Sequence, residues 1–235
     1  MKIAVISDLH LGRSDAADSF GHDDAEFLRF LDFLEGEFER IVLLGDIYET
    51  LTSPKLLAHV EELTRCKEAH REIAERFARP NYRYIHGNHD LVAAHVDGAP
   101  SDMTITVDGV KVLFTHGHHH DWLVRRLRWL SEAGVWVGGW LLRMGVESII
   151  RFFDRLDNAL AGVSNDPAVC SFQRWAVLEA ERRDADIVVT GHTHVGIRAE
   201  HGDRLFLNSG SCARGGLSFL SLDTARGDYA VNASY

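Results

Sequence analysis

The chain has 235 residues, 46% hydrophobic and 26% charged, with a formal net charge of -10. That length suits one soluble domain with an elaboration, or two small ones, and the acidic balance excludes a general nucleic-acid binder, which needs a basic face for phosphates. Three widely spaced cysteines, Cys66, Cys170 and Cys212, exclude a disulfide framework and a thiolate zinc site and point to a reduced, cytoplasmic compartment.

In chain order, KIAVIS (2–7) is a short β-branched apolar run that reads as a strand buried on both faces. It starts directly after Met1, so no signal peptide is expected. Phe27, Phe30, Leu31, Leu34 and Phe38 follow helical spacing and predict an amphipathic helix over 23–38. RIVLLG (40–45) is a second buried strand, 54–78 reads as a long charged helix, and YRYIHG (82–87) is a third strand. TITVDGVKVLFTHG predicts a hairpin turning at Asp108-Gly109. From 120 to 183 the pattern is helical; its most apolar run, AGVWVGGWLL (133–142), falls well short of the roughly 20 residues of a membrane span. DIVVTG (186–191) is another strand, and 196–235 alternates short strands with turns.

Five polar motifs sit where a strand gives way to a loop: SDLH (7–10), GDIYE (45–49), GNHD (87–90), THGH (115–118) and GHTH (191–194). In open α/β sheets ligands bind at that edge. The five loops can therefore bring together Asp8, His10, Asp46, Asn88, His116, His192 and His194. These supply carboxylate oxygen, amide oxygen and imidazole nitrogen without thiolate, a set suited to Mn, Fe or Zn. Seven ligands exceed one ordinary site but serve two divalent ions. Asp8, His10 and His194 are assigned to one, Asn88, His116 and His192 to the other, and Asp46 bridges. Two metals about 3.5–4 Å apart can hold a hydroxide and clamp a phosphate for in-line attack. His89 is the candidate general acid, with Asp90 expected to hold its ring. In FTHGHHHD (114–121), His116 ends the strand and is the expected ligand. His118 is a candidate for contact with the phosphate or for support of the ligands, while His119 and His120 are expected to be solvated or packed on helices. Taken singly, Asp8 and Asp46 read more readily as caps of turns or helices than as ligands; the combination carries the metal reading.

This constellation resembles the calcineurin-like metallophosphoesterase superfamily. Its pattern is met by Asp8-Leu9-His10, Gly45-Asp46, Gly87-Asn88-His89-Asp90, His116 and Gly191-His192-Thr193-His194, with NSGS (208–211) where the family often has NPGS. The resemblance covers the chain except about 118–185. It implies an α/β, four-layer αββα sandwich of two mixed sheets flanked by helices, and hydrolysis of a phosphoester or pyrophosphate bond. The expected organisation is one domain over 1–235 carrying a helical lid at 120–183.

All five tryptophans, Trp122, Trp129, Trp136, Trp140 and Trp175, lie in that lid, interleaved with arginines. They read either as a helical subdomain's own core or as an apolar groove beside the metals. The second reading suits an amphiphilic phosphate and a peripheral contact with an anionic membrane, and would place the protein at the inner membrane surface. The insert resembles that of UDP-2,3-diacylglucosamine hydrolases, from which this chain differs in carrying GNHD for GNRD and HGH for HGD. Three readings of function stand open: a phosphoesterase or phosphodiesterase, a lipid pyrophosphatase of that type, and a non-catalytic scaffold like the retromer subunit of the superfamily. The scaffold reading runs against the retention of all seven ligands and His89. Oligomeric state is left open.

Overall fold

A computed structural model describes residues 1–120, 126–146 and 170–232. The first half builds one layer of helices on one sheet. Strands β1 (Lys2–Ile6), β2 (Arg40–Leu44) and β3 (Tyr82–Ile85) run parallel. Helix α1 (Asp24–Glu37) begins where the Asp23 carboxylate accepts from the backbone N–H of Ala25 and Glu26, capping two free donors. Its buried face, Phe27, Phe30, Leu31 and Leu34, packs on the outer face of this sheet with Ala4, Ile6, Ile41 and Leu43. Burying one such side chain contributes about 1.5–3 kcal/mol.

The long helix expected over 54–78 is two helices, α2 (His59–Ala69) and α3 (Arg71–Phe77). They part at His70, whose backbone (φ -118°, ψ 50°) leaves the helical region. Its imidazole lies 2.7 Å from Asp24 and 3.4 Å from Asp18. A short helix α4 (Ala93–Val96) follows β3.

The hairpin forms as read, with β4 (Asp102–Val107) antiparallel to β5 (Val110–Thr115). Asp108 (φ 50°) and Gly109 (φ 82°) both take the positive φ that a tight two-residue turn requires. Between β5 and the next strand come a 3-10 turn (His118–His120), helix α5 (Arg128–Arg143) and helix α6 (Ser171–Arg182). Strands β6 (Ile187–Thr190), β7 (Gly196–His201) and β8 (Arg204–Ser209) complete a second sheet of order β4-β5-β6-β8-β7. Strands β9 (Phe219–Asp223) and β10 (Asp228–Asn232) return to the first, giving β10-β9-β1-β2-β3. Both sheets mix parallel and antiparallel pairs.

The two sheets face each other across Ile3, Val5, Val42, Leu44 and Ile85 on one side and Val112, Phe114, Ile187, Val189 and Leu207 on the other. Helix α6 covers the outer face of the second sheet through Phe172, Ala176, Val177 and Ala180. The layers are therefore αββα. Helix α6, inside the span expected as lid, forms the outer layer of the sandwich. Much of the rest of that span, with Trp122 among it, lies outside the described residues. No described helix is long and apolar enough to cross a membrane.

Candidate metal centre

The C-terminal ends of β1, β2, β3, β5 and β6 lie at one edge of the sandwich, and the five motifs leave from them. The backbone zips the loops together. Asp8 N–H donates to Gly45 O (3.0 Å), His10 N–H to Asp46 O (3.0 Å), and Gly191 N–H to His116 O (3.1 Å). Glycine is needed where chains meet side chains. A Cβ on Gly87 would enter the Asp46 carboxylate, and one on Gly191 would lie 2.8 Å from Asp8 Oδ2.

Asp8, His10, Asp46, His192 and His194 all have φ between 50° and 68°. Non-glycine residues rarely adopt this left-handed conformation, at a cost of order 1–3 kcal/mol each. Five such residues among the seven proposed ligands mark a site whose geometry the surrounding fold enforces.

The side chains each bond the protein through one atom and turn another into the site. Asp8 Oδ2 accepts from the Ser7 hydroxyl and from His192 N–H (3.1 Å), while its buried Oδ1 has no hydrogen-bond partner. His116 Nδ1 lies 2.8 Å from Leu44 O. A carbonyl only accepts, so Nδ1 carries the proton and Nε2 is left to ligate. His10 Nδ1 lies 3.1 Å from Glu49 Oε2, which frees its Nε2 in the same way. His10 Nε2, His116 Nε2 and Asn88 Oδ1 are all buried without partners. Buried polar atoms are nearly always paired, so this convergence of donor atoms fits a divalent cation.

Asp8, His10 and His194 place ligand atoms within 4.8 Å of one another, and so do Asp46, His116 and His192. The second group joins His116 and His192 to Asp46, and His10, Glu49 and His89 form a third such group. His116 Nε2 stands 3.2 Å from Asp46 Oδ2 and 4.0 Å from Asp8 Oδ1. Burial opposes a charge on His116, but Asp46 and then Asp8 outweigh it and raise its pKa to about 9. The carboxylates thus demand positive charge at this point, and a divalent cation answers the same demand. Burial likewise opposes ionisation of Asp46, yet His116 and His89 hold its pKa well below the usual carboxylate range. Burial and His116 push His192 down to about 4, which keeps it neutral, as a ligand must be.

The expected partnership of His89 with Asp90 requires correction. The buried Asp90 carboxylate accepts from Ile47 N–H (2.7 Å), Gly87 N–H (2.6 Å) and the Tyr84 hydroxyl (2.6 Å). It braces the loops after β2 and β3, and its oxygens are committed to that task. The ring of His89 is held instead by Glu49, whose Oε2 lies 2.7 Å from His89 Nδ1. Burial works against a charged His89, but Glu49 first and Asp46 next outweigh it and raise its pKa to about 10. Glu49, within the GDIYE motif, has no role in the sequence reading. Its only signal was its place three residues after Asp46, which a capping glutamate shares.

Of the remaining histidines, His118 is buried beside His116, with ring centroids 5.6 Å apart and Nδ1 unpartnered. Burial, with His116 and His119 adding to it, pulls its pKa down to about 2. His119 stacks on His118 at 4.0 Å. His120 packs against Phe172 and Trp175 of α6 at 5.6 and 5.5 Å.

Residues 1–139 match the family model of the calcineurin-like phosphoesterase superfamily domain. A search of curated proteins gave no match. Three solved structures are similar in fold. A conserved uncharacterized protein from Streptococcus pneumoniae TIGR4, a predicted phosphoesterase, is 18% identical over 99% of this chain and 97% of its own, with a TM-score of 0.46. A novel archaeal phosphodiesterase is 18% identical over 99% of each chain, with a TM-score of 0.48. Vps29 from Chaetomium thermophilum is 18% identical over 100% of this chain and 94% of its own, with a TM-score of 0.49.

Proposed function

The chain belongs to the calcineurin-like phosphoesterase superfamily, and from that premise we propose that it hydrolyses a phosphoester or phosphodiester with the help of two divalent cations. One observation carries the reading: Asp8 Oδ1, His10 Nε2, Asn88 Oδ1 and His116 Nε2 are buried at one sheet edge without hydrogen-bond partners. Asp8, His10 and His194 would hold one ion, and Asn88, His116 and His192 the other, with Asp46 between them. Bound there, the ions would supply the Lewis acidity that activates water and neutralises the charge of the phosphate. Manganese is the expected metal, and iron or zinc suits the same donors.

The chain's own residues supply the rest. His89 keeps its Nδ1 proton on Glu49 and offers the proton on Nε2 to the departing oxygen. Glu49 fixes the plane of that ring. Asp90 and the backbone contacts of Gly87 keep the two loops at the spacing this transfer needs.

The test is elemental analysis of the purified protein beside hydrolysis of bis-p-nitrophenyl phosphate with added manganese. About two metals per chain and measurable turnover are expected. His89→Ala should keep its metal and lose about 10²–10⁴-fold in kcat; Asp46→Ala should lose turnover. A chain that binds no metal after reconstitution overturns the site.

A further inference from the structure

Helix α6 covers only part of the second sheet. Phe172, Ala176, Val177 and Ala180 pack on it, while Trp175, Glu179 and Arg183, spaced four residues apart, form a neighbouring stripe. Asp102 and Thr115 are cross-strand partners at the open end of the β4–β5 hairpin. With His119, these side chains line a cavity of about 420 Å³. Sites for small molecules have this size, with aromatic walls and a few convergent polar groups.

Most of the polar lining is unpaired. Thr115 is 6% exposed, yet among the described residues its hydroxyl has no hydrogen-bond partner. The same holds for the ring nitrogens of His119 and the indole N–H of Trp175. Asp102 Oδ2 accepts from Ser101 Oγ (3.2 Å) and Arg183 Nη2 (3.4 Å), which leaves Oδ1 unpaired among the described residues. Glu179, by contrast, has both oxygens paired, with Arg182 and Arg183. Each aromatic wall leads through one further ring to a proposed ligand of the second ion. His119 stacks on His118 with centroids 4.0 Å apart, and His118 lies 5.6 Å from His116. Trp175 lies 5.7 Å from Phe172, and Phe172 lies 6.4 Å from His192.

We propose that this cavity binds the base of a nucleoside phosphate, whose phosphate is the group presented to the metal centre. Three features select a base. His119 and Trp175 offer the flat π faces on which a planar ring stacks. An unpaired carboxylate oxygen shares the cavity with the hydroxyl of Thr115 and the N–H of Trp175, and the edge of a base likewise carries both donors and acceptors. The charges, Asp102 and Glu179 against Arg183, disfavour a second phosphate, and an acyl chain would leave the polar groups buried and unpaired. The link to turnover rests on the phosphoesterase reading; binding of the base does not.

The test is calorimetric titration of the full-length protein with adenosine, guanosine, cytidine and uridine, beside ribose. At least one nucleoside should bind, ribose should not, and a chelator should leave the affinity unchanged. Trp175→Ala should lower that affinity about 5–150-fold, the weight of one base stack. Asp102→Ala should lower it about tenfold or more, as loss of a hydrogen bond to a charged group does. Its side chain is 34% exposed, so this variant keeps the core intact, and circular dichroism shows whether each variant is folded. Four silent nucleosides overturn the proposal, as does ribose that binds equally well, which would make the cavity a sugar site. So does an affinity that both variants retain, or one that vanishes with the metal, which would seat the base on the ions. The titration needs neither metal nor turnover, so its failure and that of the phosphoesterase reading are separate results.

Discussion

Glu49 Oε2 lies 2.7 Å from Nδ1 of His89, and the same oxygen lies 3.1 Å from Nδ1 of His10. One buried carboxylate therefore orients both a proposed metal ligand and the proposed proton donor. Glu49→Gln keeps the shape but removes the negative charge that both rings face, and it sets an amide NH2 against Leu51 N–H, which donates to Oε1. Loss of such support beside a metal typically costs 10–100-fold in metal affinity or activity. The expected result is a kcat about 10–100-fold lower with KM little changed, read on a soluble diester at saturating manganese. Activity within about twofold of wild type would remove Glu49 from the machinery.

Gly87 is the next point of leverage, because a Cβ there would occupy the space of the Asp46 carboxylate. Asp46 is backed by His89 N–H on one oxygen and faces His116 with the other, so it has little room to yield. Gly87→Ala should destabilise the chain by about 1–3 kcal/mol, the usual cost of overpacking, and should weaken metal binding as well. Thermal unfolding beside a metal titration checks both. An unchanged titration would show that the Asp46 loop can shift freely.

Addition of metal should stabilise the fold. Buried ligand atoms of Asp8, His10, Asn88 and His116 have no hydrogen-bond partner, and a cation that binds only the native state stabilises it by mass action. At a free concentration of 100 times Kd the gain is about 2.7 kcal/mol per site. The midpoint of thermal unfolding should rise with manganese and fall back with a chelator. An identical midpoint in both conditions would contradict a metal site in the folded state.

The break between α2 and α3 predicts a pH effect on stability. Burial disfavours charge on His70, but Asp18 and Asp24 outweigh it and raise its pKa above the ordinary value of about 6.5. A raised pKa means that the folded state holds the proton more tightly than the unfolded one. This stabilisation is complete below about pH 6.5 and is lost as pH rises through the folded value. Within the range where both carboxylates are ionised, urea unfolding of wild type and His70→Asn should differ more at pH 6 than at pH 9, both about these values. A constant difference would assign the role of His70 to packing alone.

Much of the site was legible because its residue types stand at strand ends, and strand ends can be read from short apolar runs. Asp8, His10, Asp46, Asn88, His116, His192 and His194 each follow such a run, and parallel strands bring those ends to one edge. Adjacency in sequence misled at Asp90: it follows His89 directly, yet its side chain is buried away among the Ile47, Gly87 and Tyr84 donors. The long helix over 54–78 was misread at His70 because charge and periodicity carry no trace of partners at positions 18 and 24.

From sequence alone came the candidate ligand set and the succession of strands and helices, because residue type and spacing determine which atoms can bind a cation and which segments must be buried; the layered αββα plan was implied by the family resemblance of the motifs. Tertiary structure alone decided which carboxylate supports His89, which ligand atoms remain unpaired, and which side chains line the cavity beside α6. Each of these depends on contacts between segments distant in sequence, and a local pattern holds no record of what packs against it.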